Sequence, residues 1–295
     1  MRVLVTGATG FIGSKLVPEL AREHEIVAVA RPGSTTLWGD EVEWVEQDLA
    51  EPLRRDAFPS RVDAVIHLAQ SRLYKQFPDG AADVFEINVH STFRLLEYAR
   101  EAGASRFMFA STGGVYGSSD KAVSETDRLN PLNFYLSSKY GAESLVTSYD
   151  GLLKTVIFRF FFVYGPAQTQ MMMPTLLGRV LRGETIVVEG DPGLRMNPIY
   201  VHDATRVFEP ALRLDQSDLF NVAGAEAVTL TELVELMADV SGRSAHIEHA
   251  PATHPGDLVG DNTKMKTVLG VEPQTSIREG LTAMVETMAA AEGRG

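Results

Sequence analysis

Short runs of apolar and β-branched residues punctuate the first half of the chain: Val3–Val5, Ile26–Ala30, Val62–Leu68, Arg106–Ala110 and Thr155–Phe162. Between them lie stretches with apolar positions at helical spacing, such as Phe11–Glu23 and Val84–Ala102. The short runs are continuously apolar rather than alternating, which predicts strands buried on both faces of a parallel sheet. Strands separated by helices, with right-handed crossovers, predict an α/β doubly wound fold.

After Gly165-Pro166 the pattern loosens. Met171–Arg182 predicts a helix, Pro192-Gly193 a turn, and Asn197–Val201 and Leu219–Val222 two short strands. Thr229 reads as the cap of a helix with Glu232 in its acidic start and Leu233, Leu236 and Met237 on its apolar face. Thr275–Met288 predicts a last helix. The expected division is a sheet domain over 1–166, rejoined by 197–222, and a smaller C-terminal α/β lobe over 167–196 and 223–295. The Met171-Met172-Met173 run reads as a flexible apolar lining.

Composition narrows the chemistry. The chain has 295 residues, about two domains at about 150 residues each. Hydrophobic residues at 44% and charged residues at 22% fit an ordinary globular protein. No cysteine is present, which removes disulfides, a thiol nucleophile and thiolate metal sites. Lys+Arg 27 against Asp+Glu 39 gives a net charge of -12 with no basic run, a poor match to nucleic acid. An anionic ligand then needs a local basic pocket. Met1–Gly7 is too short an apolar run for a signal peptide, and no stretch suits a membrane span, so the expectation is a cytoplasmic protein with no membrane partner.

The first strand runs into Thr6-Gly7-Ala8-Thr9-Gly10-Phe11-Ile12-Gly13 and then a helix. In this context the glycines form a dinucleotide-binding turn. Gly7 permits the turn, Gly10 admits a pyrophosphate, and Gly13 allows close packing. Phe11 and Ile12 lie at the helix N-terminus, where backbone N–H groups meet phosphate. About 20 residues on, where NAD enzymes place an acid for the ribose, stands Arg31. It either pairs with a 2′-phosphate, favouring NADP(H), or is a solvated strand-end arginine. Asp48-Leu49 is placed to flank the adenine.

Tyr135 and Lys139 stand four apart, on one face of a helix. The ammonium is expected to draw the phenol's pKa towards neutrality, making a proton carrier for a hydroxyl or carbonyl substrate. Ser111-Thr112 adds hydroxyls at a strand's C-terminal end. With the glycine turn, these residues resemble the extended short-chain dehydrogenase/reductases of the NAD-dependent epimerase/dehydratase family. Further markers are His67-Leu68-Ala69, Asn88-Val89, Val115-Tyr116-Gly117, Arg159–Pro166, Asn197–Asp203 and Pro255-Gly256-Asp257.

The resemblance implies a Rossmann domain and a substrate lobe. It implies Tyr135 as acid/base, Lys139 on the nicotinamide ribose, and Thr112 polarising the substrate oxygen, with Ser111 beside it. Asn88 would support the active-site geometry, Leu68, Ala69 and Phe160 would line the cofactor, and Arg72 would reach its phosphates. In relatives, helices like those over Val84–Ala102 and Pro131–Tyr149 pair across a dimer; the alternative is a monomer whose helices simply cover the sheet.

Departures narrow the substrate. Where 4,6-dehydratases carry Thr-Asp-Glu, this chain reads Thr112-Gly113-Gly114, without the carboxylates that eliminate water. The double glycine resembles some sugar 4-epimerases. Phe162 replaces an asparagine that binds diphosphate in relatives, His254 replaces an arginine, and Arg195 is shifted by one position. Either these losses weaken diphosphate binding, or Phe162 and His254 pack or stack while phosphates are held elsewhere. No histidine group has convincing metal-ligand spacing, and His246 and His249 read as surface residues. The expected function is an NAD(P)-dependent epimerase of a sugar or nucleotide sugar. The rivals are an NADPH-dependent ketoreductase and a non-catalytic dinucleotide sensor.

Overall fold

The computed structural model describes residues 1–34, 38–252 and 256–292. Its strands are β1 (Arg2–Thr6), β2 (Glu25–Ala30), β3 (Glu43–Glu46), β4 (Ala64–His67), β5 (Arg106–Thr112), β6 (Lys154–Phe160), β7 (Ile186–Glu189), β8 (Arg195–Met196), β9 (Asp218–Val222), β10 (Val228–Thr229) and β11 (Ile247–Ala250). The α-helices are α1 (Gly13–Leu20), α2 (Ala81–Phe85), α3 (Ser91–Glu101), α4 (Phe134–Ser148), α5 (Met172–Leu181), α6 (Val201–Thr205), α7 (Phe208–Ala211), α8 (Leu230–Ser241), α9 (Thr263–Leu269) and α10 (Ile277–Glu292). Seven strands form one sheet in the order β3-β2-β1-β4-β5-β6-β9. The chain crosses over at β1, so β2–β3 and β4–β5 lie on opposite sides of it, the doubly wound Rossmann topology. Among the described residues no helix is long and apolar enough to cross a membrane.

The chain divides into two compact units. The first holds Met1–Val115, Leu129–Arg159 and Thr205–Phe220. Its core packs Leu4, Val27 and Val65 of the sheet against Leu95, Leu96 and Ala99 of α3 and Ala142 and Val146 of α4. The second holds Tyr116–Arg128, Phe160–Ala204 and Asn221–Gly295. Its core gathers Met173 and Leu177 of α5, Leu233 and Met237 of α8, and Leu281 and Met284 of α10 around Tyr164. These bounds differ from the expected ones. Tyr116–Arg128 joins the second unit because the Tyr116 hydroxyl donates to Asn221 Oδ1 at 2.8 Å and Ser119 bridges to Asp257.

Three local expectations need correction. Asn197–Val201 is not a strand: Tyr200 makes one isolated bridge to Tyr164, and Val201 opens α6. The Asn197 side chain ties this segment by donating to Gly260 O at 2.8 Å and accepting from Gly260 N at 2.9 Å. The stretch Val84–Ala102 is not one regular helix, because a π turn over Glu86–His90 separates α2 from α3. The methionine run is not a uniform lining, since Met173 is buried in the second core while Met171 is exposed. The Thr229 cap forms as expected, as a reciprocal capping box with Glu232.

Candidate active site

The glycine turn sets the first part of the site. Gly7 has φ +69, and a Cβ there would lie 2.7 Å from Ala69 N. The β4 exit at Leu68-Ala69 therefore packs directly on the turn. A Cβ at Gly13 would lie 2.3 Å from Gly7 O and 2.6 Å from Ala8 O, so Gly13 is required by the turn's own backbone. A Cβ at Gly10 would meet only Gly7, at 3.0 Å, and would otherwise face open space. Phe11 and Ile12 offer backbone N–H groups at the start of α1, which has no side-chain cap. Open space above Gly10 beside uncapped N–H groups suits a dinucleotide pyrophosphate.

Arg31 follows β2 and is exposed. Beside it, Glu46 at the end of β3 accepts from Gly33 N–H at 3.4 Å. Asp48 is half-buried, and its Oδ1 accepts from Ala50 N–H at 3.0 Å, so one carboxylate oxygen closes a local turn. Leu49 is a core residue of the first unit, a packing position rather than an open wall. Arg72 is exposed on the segment after β4.

The second part is α4 against the end of β5. Asn133 caps α4, accepting from Leu136 N–H at 2.9 Å, and the first turn carries Tyr135. The phenol donates to Gln70 Oε1 at 3.0 Å and its ring lies 5.1 Å from that of Tyr74. Lys139 is buried. Its Nζ donates to Ala110 O at 2.5 Å and sits 4.2 Å above the Phe109 ring. This corrects the expected pKa pattern. Burial, with the Tyr74 phenol nearby, pushes the Tyr135 phenol above its ordinary range. Burial lowers Lys139 to about 7, opposed by Glu143. The ammonium is spent on a carbonyl and an aromatic face rather than on the phenol.

Thr112 ends β5, and its Oγ1 accepts from Gly114 N–H at 3.2 Å. A Cβ at Gly114 would lie 2.6 Å from Leu136 Cδ2 and 3.5 Å from Thr112 Oγ1. Leu136 thus fills the place a side chain at 114 would need. Ser111, expected beside the substrate, has a polar partner of its own. Its hydroxyl donates to Glu143 Oε1, away from Thr112's position, within a buried group completed by Arg159. Asn88 is buried in the π turn, where its Oδ1 accepts from Ser71 N–H at 2.9 Å and its Nδ2 donates to Ser138 Oγ at 3.0 Å.

Phe160, Phe162 and Arg195 belong to the second unit. Phe160 is buried; Phe162 is half-buried with φ 45. That left-handed conformation suits asparagine far better than phenylalanine. Arg195 is exposed, and its backbone N–H donates to Asp257 Oδ1 at 3.0 Å. His254 lies outside the described residues. Residues missed by sequence reasoning are Gln70, Leu136 and Glu143. Glu143 had a signal, since Tyr135, Lys139 and Glu143 repeat every four residues along one helix face. Glu125 accepts from Asn221 N–H at 2.8 Å. Elsewhere, Glu23, His24 and Glu209 bring ligand-type atoms within 4.8 Å of one another, but Arg213 donates to both carboxylates and makes an ion-pair cluster.

The fold and the glycine turn define a nucleotide-cofactor enzyme, and comparison with known proteins gives its family. The chain belongs to the NAD dependent epimerase/dehydratase family, which it matches over residues 3–223. It is an NAD(P)-dependent enzyme of the extended short-chain dehydrogenase/reductase type. It is similar to an uncharacterized UDP-glucose epimerase of Bacillus subtilis, 31% identical, with 96% of each chain covered. Among solved structures it resembles MoeE5 in complex with UDP-glucuronic acid and NAD, at TM-score 0.86 and 31% identity, over 99% of this chain and 100% of that one. It also resembles the UDP-glucose 4-epimerase of Thermotoga maritima, solved with UDP-glucose, at TM-score 0.87 and 28% identity, over 99% and 100% of the two chains.

Proposed function

We propose that this enzyme is a nucleotide-sugar epimerase working through a transient keto intermediate, and not a 4,6-dehydratase. The observation that carries this reading is the carboxylate-free corner at Thr112-Gly113-Gly114, closed by Leu136, the residue after Tyr135. Proton transfer at one hydroxyl has a phenol to serve it there, whereas elimination of water has no acid and base. The UDP-glucuronic acid and UDP-glucose bound in the solved relatives support a UDP-sugar.

In this reading Gly10, Phe11 and Ile12 hold the pyrophosphate, with Gly7 and Gly13 shaping the turn. Leu68, Ala69 and Phe160 line the cofactor, Arg72 reaches its phosphates, and Asp48 flanks the adenine. When bound, the cofactor would supply the hydride acceptor and donor for this chemistry. Tyr135 gives up its own proton to solvent and exchanges Gln70 for the substrate hydroxyl; as phenolate it takes the hydroxyl proton, and it gives that proton back after the keto sugar has turned over. Thr112 donates to the same substrate oxygen. With the cofactor bound, Lys139 would hold the nicotinamide ribose, and its charge would favour the phenolate of Tyr135. Phe162 and Arg195 are the second unit's candidates for substrate recognition. We further propose a cytoplasmic homodimer through the helices of Asn88 and Tyr135, on which Phe85, Phe93 and Tyr140 stand exposed.

One observation favours a second reading. Arg31 is an exposed cation at the end of β2, which supports NADP(H) and with it a ketoreductase of a keto sugar. Purified enzyme incubated with UDP-glucose or UDP-glucuronic acid, without added cofactor, is expected to form the C4 epimer. Stoichiometric NADPH oxidation by a keto sugar, with no epimer formed, would establish the reductase instead. Tyr135→Phe is expected to lower kcat by about a hundredfold or more with cofactor affinity retained. Unchanged turnover removes Tyr135 from the mechanism. Sedimentation as a monomer at micromolar concentration overturns the dimer.

A further inference from the structure

Between α2 and α3 the backbone widens, and Ser91 N–H donates to Glu86 O, five residues back. A π turn of this kind takes amide donors away from carbonyls four residues back. Two hydroxyls stand in for them. Ser91 Oγ donates to Ile87 O at 2.5 Å and Thr92 Oγ1 donates to Asn88 O at 2.7 Å. A threonine hydroxyl has one hydrogen, and here it goes to Asn88 O. The contact between Thr92 Oγ1 and His67 Nε2 at 3.1 Å must therefore use a proton on the imidazole. His67 Nδ1 is then bare and accepts from the Thr6 hydroxyl at 2.7 Å. Thr6, His67 and Thr92 are all buried, and burial together with the Lys139 charge holds the ring neutral, its pKa lowered to about 3.

The hydrogen bonds thus run in one direction, from Thr6 at the end of β1, through His67 at the end of β4, to the carbonyl of Asn88. The Asn88 side chain extends the connection into α4. Its Nδ2 donates to Ser138 Oγ at 3.0 Å, and the Ser138 hydroxyl donates to Tyr135 O at 2.7 Å. An apolar filling would pack this space equally well, but it would not fix the rotation of each group. A fully satisfied polar chain does.

We propose that His67 and Thr92 are positioning residues, which hold the π turn so that Asn88 and Ser138 fix the first turn of α4 and with it the Tyr135 phenol. They act through Asn88 and Ser138 and touch neither phenol nor substrate. The importance of Tyr135 rests on the epimerase reading; the wiring does not.

The test compares Thr92→Val, which keeps the shape and loses the hydroxyl, with Thr92→Ser, which keeps the hydroxyl. Ser138→Ala cuts the far side of the chain. The full-length protein is labelled with 13C at the tyrosine ζ carbon and 15N in histidine, and Tyr135 is assigned by its loss in Tyr135→Phe. His67 is expected to remain the neutral Nε2–H tautomer from pH 8 to pH 5. Thr92→Val is expected to shift or broaden the Tyr135 resonance and to lower kcat by about tenfold, with KM little changed. Thr92→Ser should restore both to within about twofold of wild type. Ser138→Ala should disturb Tyr135 while leaving the His67 tautomer intact.

An unchanged Tyr135 resonance and kcat in Thr92→Val overturns the proposal, as does a Thr92→Ser variant no better than Thr92→Val. If Thr92→Val does not fold, an undisturbed Tyr135 resonance in Ser138→Ala overturns it alone. A wild-type enzyme that turns over no nucleotide sugar overturns the epimerase reading, and the tyrosine resonance still decides the wiring.

Discussion

Glu143 Oε2 accepts from Arg159 Nη2 at 2.7 Å, with side chains only 4% and 5% exposed, beneath the face of α4 that carries Tyr135 and Lys139. The guanidinium Nε also donates to both carboxylate oxygens, and the Ser111 hydroxyl donates to Oε1. Every oxygen of this buried carboxylate is occupied. Removing one charge strands the other, at a cost of about 3–5 kcal/mol, whereas replacing both with apolar residues of similar volume is often close to neutral. Urea denaturation of Glu143→Leu, Arg159→Met and the double variant is expected to show two costly singles and a cheaper double. Additive losses in the double variant would contradict the pairing.

Lys139 makes stability depend on pH. Burial lowers its pKa from the ordinary 10.5 to about 7. Between those values the unfolded chain holds a proton that the folded chain has lost. Stability therefore gains from this group as pH rises from about 7 to 10.5, by at most about 1.4 kcal/mol per pH unit. Lys139→Met is expected to be more stable than wild type at pH 6, with the advantage shrinking towards pH 10. A gap of constant size in denaturation series at pH 6, 8 and 10 would show that burial of the charge is not its source.

The glycines of the turn should separate by experiment. Gly13→Ala drives a Cβ to 2.3 Å from Gly7 O, and backbone must move. A stability loss of about 1–3 kcal/mol is expected. Gly10→Ala meets only Gly7 O, at 3.0 Å, and should stay within about 1 kcal/mol of wild type while weakening dinucleotide binding by about tenfold or more. Denaturation together with cofactor titration checks both. Equal binding losses at equal stability would mean that the open space above Gly10 is not the phosphate cradle.

Arg31→Asp should change cofactor preference. A charge-assisted contact to a 2′-phosphate is worth about 1.5–3 kcal/mol, about ten- to a hundredfold in affinity. The ratio of NADP to NAD dissociation constants is expected to rise by that factor. A ratio that does not move would leave Arg31 as a solvated strand-end residue.

The buried strands of a doubly wound sheet, the glycine turn and the spacing of Tyr135 and Lys139 were legible in the sequence; the order of the strands in the sheet was not. Each depends on local rules: apolar runs for strands buried on both faces, glycines where the backbone needs them, and a helical repeat that aligns residues four apart. The partners of those residues were not legible. That Lys139 meets Ala110 and Phe109, that Ser111 turns to Glu143, and that Leu136 fills the space at Gly114 all follow from α4 packing on β5. The same holds for the π turn at Asn88. Its widened backbone is stabilised by Thr92 and, through it, by His67 from a strand 25 residues away in sequence. Sequence by itself therefore determined the fold family and the candidate residues of the site. Only the tertiary structure decided which charges are buried, and so which way the pKa values of Tyr135 and Lys139 move. The reason is that desolvation depends on contacts between distant segments, which no local pattern encodes.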